Sequence, residues 1–318
     1  MDTRVLAEIR SESLIQLLSA VKYETAPPGS TLIPALDAHF FSAPFHHASP
    51  YSSLNRGDVI EIQGLPGSGK THLLYFLLAT CLLPSSHLFA PLGGWERVAY
   101  VLDMDQAFDI RRFKQLLSNR LTRLIPAHAV PLVAAKCLDR LHIFRPTSSN
   151  QLAATIAHLP KYHATHFREL DLGLIALDSV STFCWRDRLT VEQLRSGPPL
   201  HDPRLNPNPL HHILSKLQEI RLSHGAITVM TNWGLVAQNK PLTGFFNQHL
   251  NPYPSPFVGS TKDFELFPLT HHITLSAEHP GKPSEETQIF HGAVRTSSAN
   301  QVGKFTFHIT ENEILVSK

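Results

Sequence analysis

Residues 58–75 read DVIEIQGLPGSGKTHLLY, and no other stretch restricts the fold as much. A β-branched, apolar run enters a glycine-rich turn and leaves it as an apolar, helix-favouring run. Gly64, Leu65, Pro66, Gly67, Ser68, Gly69, Lys70 and Thr71 match G-x-x-x-x-G-K-[ST] throughout. Gly67 and Gly69 let the backbone bend until successive N–H groups point at one anion. A helix starting at Thr71 aims its positive end at the same place. Lys70 would set a point charge at the β- and γ-phosphates, and the Thr71 hydroxyl could ligate a magnesium ion. The motif therefore predicts a strand, a phosphate cradle and a helix in that order, and ATP with Mg2+ as the ligand.

The rest of the chain repeats the alternation. RVAYVLDMD (97–105) reads as a buried strand followed by a helix from about Asp109 to Leu124, and LHIFRP is a short strand. A helix beginning at Ser149 is expected to fade near Pro160. LGLIALDS is a strand ending in an acid. A proline-rich loop is expected from about Arg186 to Pro209, then an amphipathic helix and the strand AITVMTN. Residues 233–267 look irregular, and three alternating segments close the chain. The pattern predicts an α/β fold with a mainly parallel twisted sheet, helices on both faces and antiparallel C-terminal strands at one edge. The expected division is a short helix (3–22) and irregular lead-in over 1–56, then one domain over 57–318.

Composition narrows the function little. Twenty-eight basic against 26 acidic residues give a net charge of +2, so any nucleic-acid contact must come from local loops. Three widely spaced cysteines suggest buried thiols in a reducing compartment rather than a disulfide framework. The 20 histidines lack metal-ligand spacing. No 18-residue apolar run is present, so no membrane role is expected.

Asp178 closes the strand LIALD and has the form of the acid that holds magnesium in P-loop enzymes. It stands 178 − 70 = 108 residues after Lys70, with two strand signals between them. That spacing favours recombinase- and helicase-like ATPases over small kinases, and no arginine-rich lid is evident.

On GDVIEIQGLPGSGKTHLLYFLLATCLLP, VAYVLDMDQAFDIRRF and LIALDSVSTFCWRDR, with ITVMTNWGLVAQ in support, the chain resembles the RecA-like recombinases. Among them it is most similar to the eukaryotic paralogues of the X-ray-repair cross-complementing type, the likeness covering about residues 55–235 and extending loosely to the C-terminal strands. The resemblance implies a RecA-like P-loop ATPase core, homologous-recombination DNA repair, a nuclear location and work beside another recombinase paralogue. It also implies support for recombinase assembly on single-stranded DNA.

Two positions depart from the recombinase pattern. The glutamate that activates water is replaced by Asp105, one methylene shorter, which could equally be a helix-start acid. In the Thr-Asn-Gln ending, Thr231 and Asn232 match, and Asn232 is carried over as a nucleotide contact. Trp233 replaces the glutamine and cannot accept a hydrogen bond as an amide does. Both changes point to slow or absent hydrolysis, so the repair reading is of an ATPase with weak or DNA-dependent turnover. In the loop after the acid strand, Trp185 with Arg186 and Arg188 offers stacking and phosphate contacts to single-stranded DNA. The sequence FFSA (Phe40–Ala43) has the F-x-x-A form by which recombinases dock on a neighbour. A catalytically silent scaffold and, less favoured, an unrelated P-loop small-molecule kinase stay open beside the repair ATPase.

Overall fold

The protein's structure, a computed structural model, describes Val21 and residues 27–43, 52–195, 208–235, 244–246, 249–250, 267–278, 287–297 and 301–317. Apart from Val21, the expected 3–22 helix lies outside these residues, as does most of 233–267.

Among the described residues, nine strands form one sheet. The parallel part runs β5 (Leu141–Phe144), β4 (Val98–Asp103), β6 (Leu172–Asp178), β7 (Ile227–Trp233), β1 (Val59–Gly64) and β8 (His271–Ala277). The antiparallel strands β9 (Gln288–Thr296), β10 (Val302–Ile309) and β11 (Ile314–Val316) extend the β8 edge. A small hairpin, β2 (Ser86–His87) and β3 (Ala90–Pro91), stands apart. The expected mainly parallel sheet with antiparallel strands at one edge is thus present.

Strand alternation divides the core in two. Ile60, Ile62, Val101, Ala176, Val229 and Ile273 face one layer, built from α2 (Lys70–Leu82), α3 (Ile110–Thr122) and α4 (Val130–Leu138). Tyr100, Leu102, Ile175, Leu177 and Met230 face the other, with α5 (Ser149–His166) and α7 (Pro209–His224). α3 is amphipathic, burying Phe113, Leu116, Leu117 and Leu121, and Asp109 caps it by accepting the Arg111 and Arg112 N–H groups. α7 starts at Pro209 behind the Asn208 cap and stops at Gly225.

Three local expectations need correction. α5 does not fade at Pro160 but continues to His166. Buried Ile156, Leu159 and His163 keep one face on the sheet, and Tyr100 Oη meets His163 Nδ1 at 2.8 Å; this packing offsets a proline cost of about 3 kcal/mol. The expected loop from Arg186 is instead helical as far as Arg195, in α6 (Cys184–Arg195). The lead-in is not all irregular, since α1 (Pro34–Phe41) packs Leu36 and Phe40 into the first core layer. Phe40 is 1% exposed and its ring lies 4.1 Å from that of His271. The FFSA phenylalanine is therefore an internal anchor, not a free docking group.

Candidate functional site

The glycine loop lies where β1 hands over to α2, at the C-terminal edge of the parallel strands. This is the position at which open α/β sheets bind ligands. Gly67 and Gly69 have φ of +75° and +84°. The two differ in surroundings. A Cβ at Gly69 would come within 2.9 Å of Phe290 and 3.1 Å of Phe307, whereas one at Gly67 would meet nothing within 4 Å. Gly69 is closed against protein and Gly67 opens on a cleft of about 480 Å³. Lys70, Thr71, His72, Tyr75 and Arg112 line one side of the cleft, and Gln288 and Phe290 of β9 line the other. That volume lies within the usual range of small-ligand sites.

Lys70 Nζ donates to the Gly64 and Leu65 carbonyls at 2.8 and 2.9 Å, folded back over its own loop. Burial lowers its pKa, opposed by the charges of Asp178 and Asp105. Ser68 Oγ lines the cleft, buried and without a hydrogen-bond partner among the described residues. Burial also lowers the pKa of the His72 imidazole, and Arg112 acts the same way. The Arg112 guanidinium donates to the Glu311 carbonyl and, at 2.7 Å, to that of Thr310, so α3 holds the β10–β11 turn beside the cleft.

Asp178 ends β6 directly under the loop. Thr71 Oγ1 donates to its Oδ2 at 3.1 Å and Thr231 Oγ1 to its Oδ1 at 2.5 Å. Burial raises the pKa of this carboxyl against the two threonine hydrogen bonds, which lower it; the charges of Asp105 and Asp103 raise it further. A buried carboxylate beside a hydroxyl at a helix N-terminus has the hard oxygen donors that Mg2+ takes. With the uncovered Gly67 and the orphaned Ser68 hydroxyl, the residues fit a phosphate–magnesium ligand.

Asp105 is exposed, and its N–H lies 3.4 Å from the Asp178 carbonyl. Its carboxylate accepts from the Thr182 hydroxyl. Asp103, one strand step earlier, was not singled out by the sequence, yet it shapes the turn. Fully buried, it accepts the Ala107 and Phe108 N–H groups at 3.0 and 3.3 Å and pairs with Arg145 at 3.2 Å.

Asn232 does not join the cleft. Alternation along β7 puts Thr231 on the phosphate side and turns Asn232 to the opposite face. There its Nδ2 donates to Glu61 Oε1 at 2.6 Å and its Oδ1 accepts from Ser181. Thr231, read only as part of the pattern, is the residue that touches Asp178. On the opposite face a second buried polar set continues. His272 Nε2 lies 3.0 Å from Gln63 Oε1, and Arg295 donates to His272 Nδ1 at 2.9 Å. Burial and Arg295 pull the His272 pKa down to about 3, so its approach to Glu61, 3.8 Å away, is not an ion pair at neutral pH.

Trp185, Arg186 and Arg188 lie on α6 rather than on a loop. Trp185 is 56% exposed with Arg188 Cζ 5.9 Å from its ring centroid, and Arg188 also pairs with Glu192 at 2.9 Å. Arg186 turns back, its Cζ 4.9 Å from the Phe183 ring centroid and its Nη2 donating to the Thr147 carbonyl at 3.2 Å. Trp185 and Arg188 are together and accessible, while Arg186 is engaged internally.

No protein-family model matches the chain. The mouse protein named DNA repair protein XRCC2 is 36% identical over 134 residues, covering 42% of this chain and 44% of that protein. The Arabidopsis thaliana protein named DNA repair protein XRCC2 homolog is 24% identical over 233 residues, 64% of this chain and 61% of that protein. The human protein named DNA repair protein RAD51 homolog 2 is 24% identical over 126 residues, 40% of this chain and 30% of that protein. The chain thus spans less than two thirds of the length of each relative. The resemblance to recombinase paralogues of the X-ray-repair cross-complementing type is borne out by these matches, and the sheet described above is a RecA-like core.

Proposed function

With kinship to the recombinase paralogues as the premise, we propose that this chain is an ATP-holding subunit in DNA repair by homologous recombination. It acts in the nucleus, in a complex with another recombinase paralogue, and supports recombinase assembly on single-stranded DNA. The observation that carries the nucleotide part is the contact between the Thr71 hydroxyl and the Asp178 carboxylate beneath the open face of Gly67. Lys70, with the loop N–H groups and the positive end of α2, would hold the phosphates. Thr71 and Asp178 would hold Mg2+, Asp178 directly or through water. Bound Mg2+ would neutralise phosphate charge, as it does across P-loop sites.

Asp105 is the candidate to accept a proton from water. Its carboxylate is one methylene short of a glutamate's reach, and a misplacement of about 1 Å can cost on the order of a hundredfold in rate. Trp233 shares the phosphate-side face of β7 with Thr231 and offers no amide there. Both features support tight holding with slow turnover. Trp185 and Arg188 on α6 are the candidate contacts to single-stranded DNA, through base stacking and phosphate pairing.

The test is ATP affinity and turnover of the chain, alone and with a recombinase-paralogue partner, with and without single-stranded DNA. Binding that falls at least tenfold in Lys70→Ala, with slow turnover in the unmodified chain, is expected. Equal binding by Lys70→Ala would overturn the nucleotide reading. The Trp233 replacement also favours a silent scaffold, and tight binding with no turnover under every condition would select it.

A further inference from the structure

The short turn between β6 and α6 is tied to two neighbouring segments at the C-terminal edge of the sheet through three consecutive residues. Val180 N–H donates to the Thr231 carbonyl at 3.0 Å. Ser181 Oγ donates to Asn232 Oδ1 and accepts the Trp233 N–H at 2.9 Å. The Thr182 hydroxyl meets the Asp105 carboxylate. The first two contacts run to the β7 exit. The third crosses to the β4 loop and is the side-chain hydrogen bond that anchors the exposed Asp105 carboxylate. Backbone bonds already hold the rest of that loop, since Met104 and Asp105 both donate to the Asp178 carbonyl, at 2.8 and 3.4 Å.

The same turn leads straight into α6. Cys184 N–H donates to the Ser181 carbonyl at 3.1 Å and Asp187 N–H to that of Phe183 at 2.9 Å. Trp185 and Arg188 therefore begin one helical turn from Thr182. A shift of α6 that moved the turn would carry the Thr182 hydroxyl with it, and that hydroxyl grips Asp105, the acid proposed above to accept a proton from water. A β-hydroxyl is short and stiff at χ1, so it transmits displacement where a long polar side chain would absorb it.

We infer that Thr182 is a positioning residue, which holds the Asp105 carboxylate and links occupancy of the α6 face by single-stranded DNA to the nucleotide cleft. This rests on the proposed nucleotide and strand sites. Linkage through Thr182 must be reciprocal, because nucleotide and strand change each other's affinity by the same factor.

The experiment measures the affinity of the full chain, with its partner paralogue where required, for a labelled oligo-dT by fluorescence anisotropy. Each measurement is made with and without ATP and Mg2+. The ratio of the two affinities is expected to be on the order of tenfold in the unmodified chain. Thr182→Val keeps the shape and removes the hydroxyl; its ratio should fall to near one while each ligand still binds. Thr182→Ser should restore the ratio, which a purely structural role of the methyl group would not do. In a double-mutant cycle, Thr182→Val should add nothing once Asp105→Asn is present. An unchanged ratio in Thr182→Val overturns the inference, as does a ratio of one in an unmodified chain that binds both ligands. Nucleotide binding identical in the unmodified chain and Lys70→Ala would instead bring down the underlying nucleotide reading, and the inference with it.

Discussion

Gly67 and Gly69 share a backbone conformation and differ in what surrounds them, so the same substitution at each separates fold from function. Both have positive φ, +75° and +84°. An alanine at either pays the left-handed penalty of about 1–2 kcal/mol. At Gly69 the new methyl would also sit 2.9 Å from Phe290 Cδ1 and 3.1 Å from Phe307 Cζ. These rings belong to the packed β9–β10 layer and lie only 2% and 0% exposed. Forcing a methyl into such a core costs a further 1–3 kcal/mol or so. Gly69→Ala is therefore expected to destabilise the chain by about 2–5 kcal/mol, and Gly67→Ala by about 1–2 kcal/mol.

The order reverses for nucleotide. The Gly67 methyl would stand in the open space proposed for phosphate oxygens, so Gly67→Ala should weaken binding by tenfold or more in a nearly intact fold. Urea unfolding without nucleotide gives the stabilities, and titration with a fluorescent ATP analogue and Mg2+ gives the affinities. A Gly67→Ala chain that binds as tightly as the unmodified one would refute the phosphate cradle. A greater loss of stability at Gly67 than at Gly69 would refute the steric argument.

Asp178→Asn should stabilise the nucleotide-free chain at neutral pH and remove the Mg2+ dependence of ATP binding. The raised folded pKa makes the carboxyl's stability contribution full below its ordinary value of 3.8 and lost as pH rises through the raised value; urea midpoints at pH 4 and 7 for both chains check the sign. His272 has the opposite sense: with its pKa lowered from 6.5 to about 3, its contribution is full above 6.5 and lost as pH falls toward 3. From pH 7 to 5 the unfolded imidazole protonates and the folded one does not, a loss of about 2 kcal/mol. His272→Gln can keep both hydrogen bonds without titrating, and its unfolding free energy should lack that part of the slope. Asp103→Ala should cost about 2–3 kcal/mol by stranding two backbone N–H groups, while Arg145→Met, which removes a side chain that is itself 53% exposed, should cost under about 1 kcal/mol in the same urea assay.

What was legible in the sequence was whatever is contiguous along the chain. The strand, glycine loop and helix around Lys70 form a single local unit, and the glycine-loop motif between two apolar runs located them. Asp178 needed only an apolar run ending in an acid. Pro160 and the prolines after Arg195 both misled toward too little helix. Pro160 reads as a stop but is overruled by Ile156, Leu159 and His163 against the sheet. The later prolines made a loop of 186–209, although the residues before them complete α6. Asp103, Ser181 and Thr182 were illegible for another reason. Their partners are Arg145, Asn232 and Asp105, distant in sequence and brought together only when parallel strands align their C-terminal ends.

The parity of β7 alters the weight of the departures from the recombinase pattern. From the pattern alone, Asn232 was a retained nucleotide contact and Trp233 a lost one. In the sheet, Gln63 stands beside Asn232 and Ile62 beside Thr231, so the retained Asn and the retained Thr face opposite ways. Thr231 holds Asp178, whereas Asn232 ties Glu61 to the turn that launches α6. The two retained residues thus support the cradle and the turn, and neither replaces the missing amide. Trp233 remains on the phosphate side, where an indole can fill space but cannot accept a hydrogen bond. On the proposed reading, the parts that hold nucleotide and the parts that relate it to α6 are kept, and the loss falls on the groups that would sense and cleave the γ-phosphate. A Trp233→Gln variant should therefore raise turnover more than affinity. A gain in affinity alone would mean that the indole merely crowds the cleft.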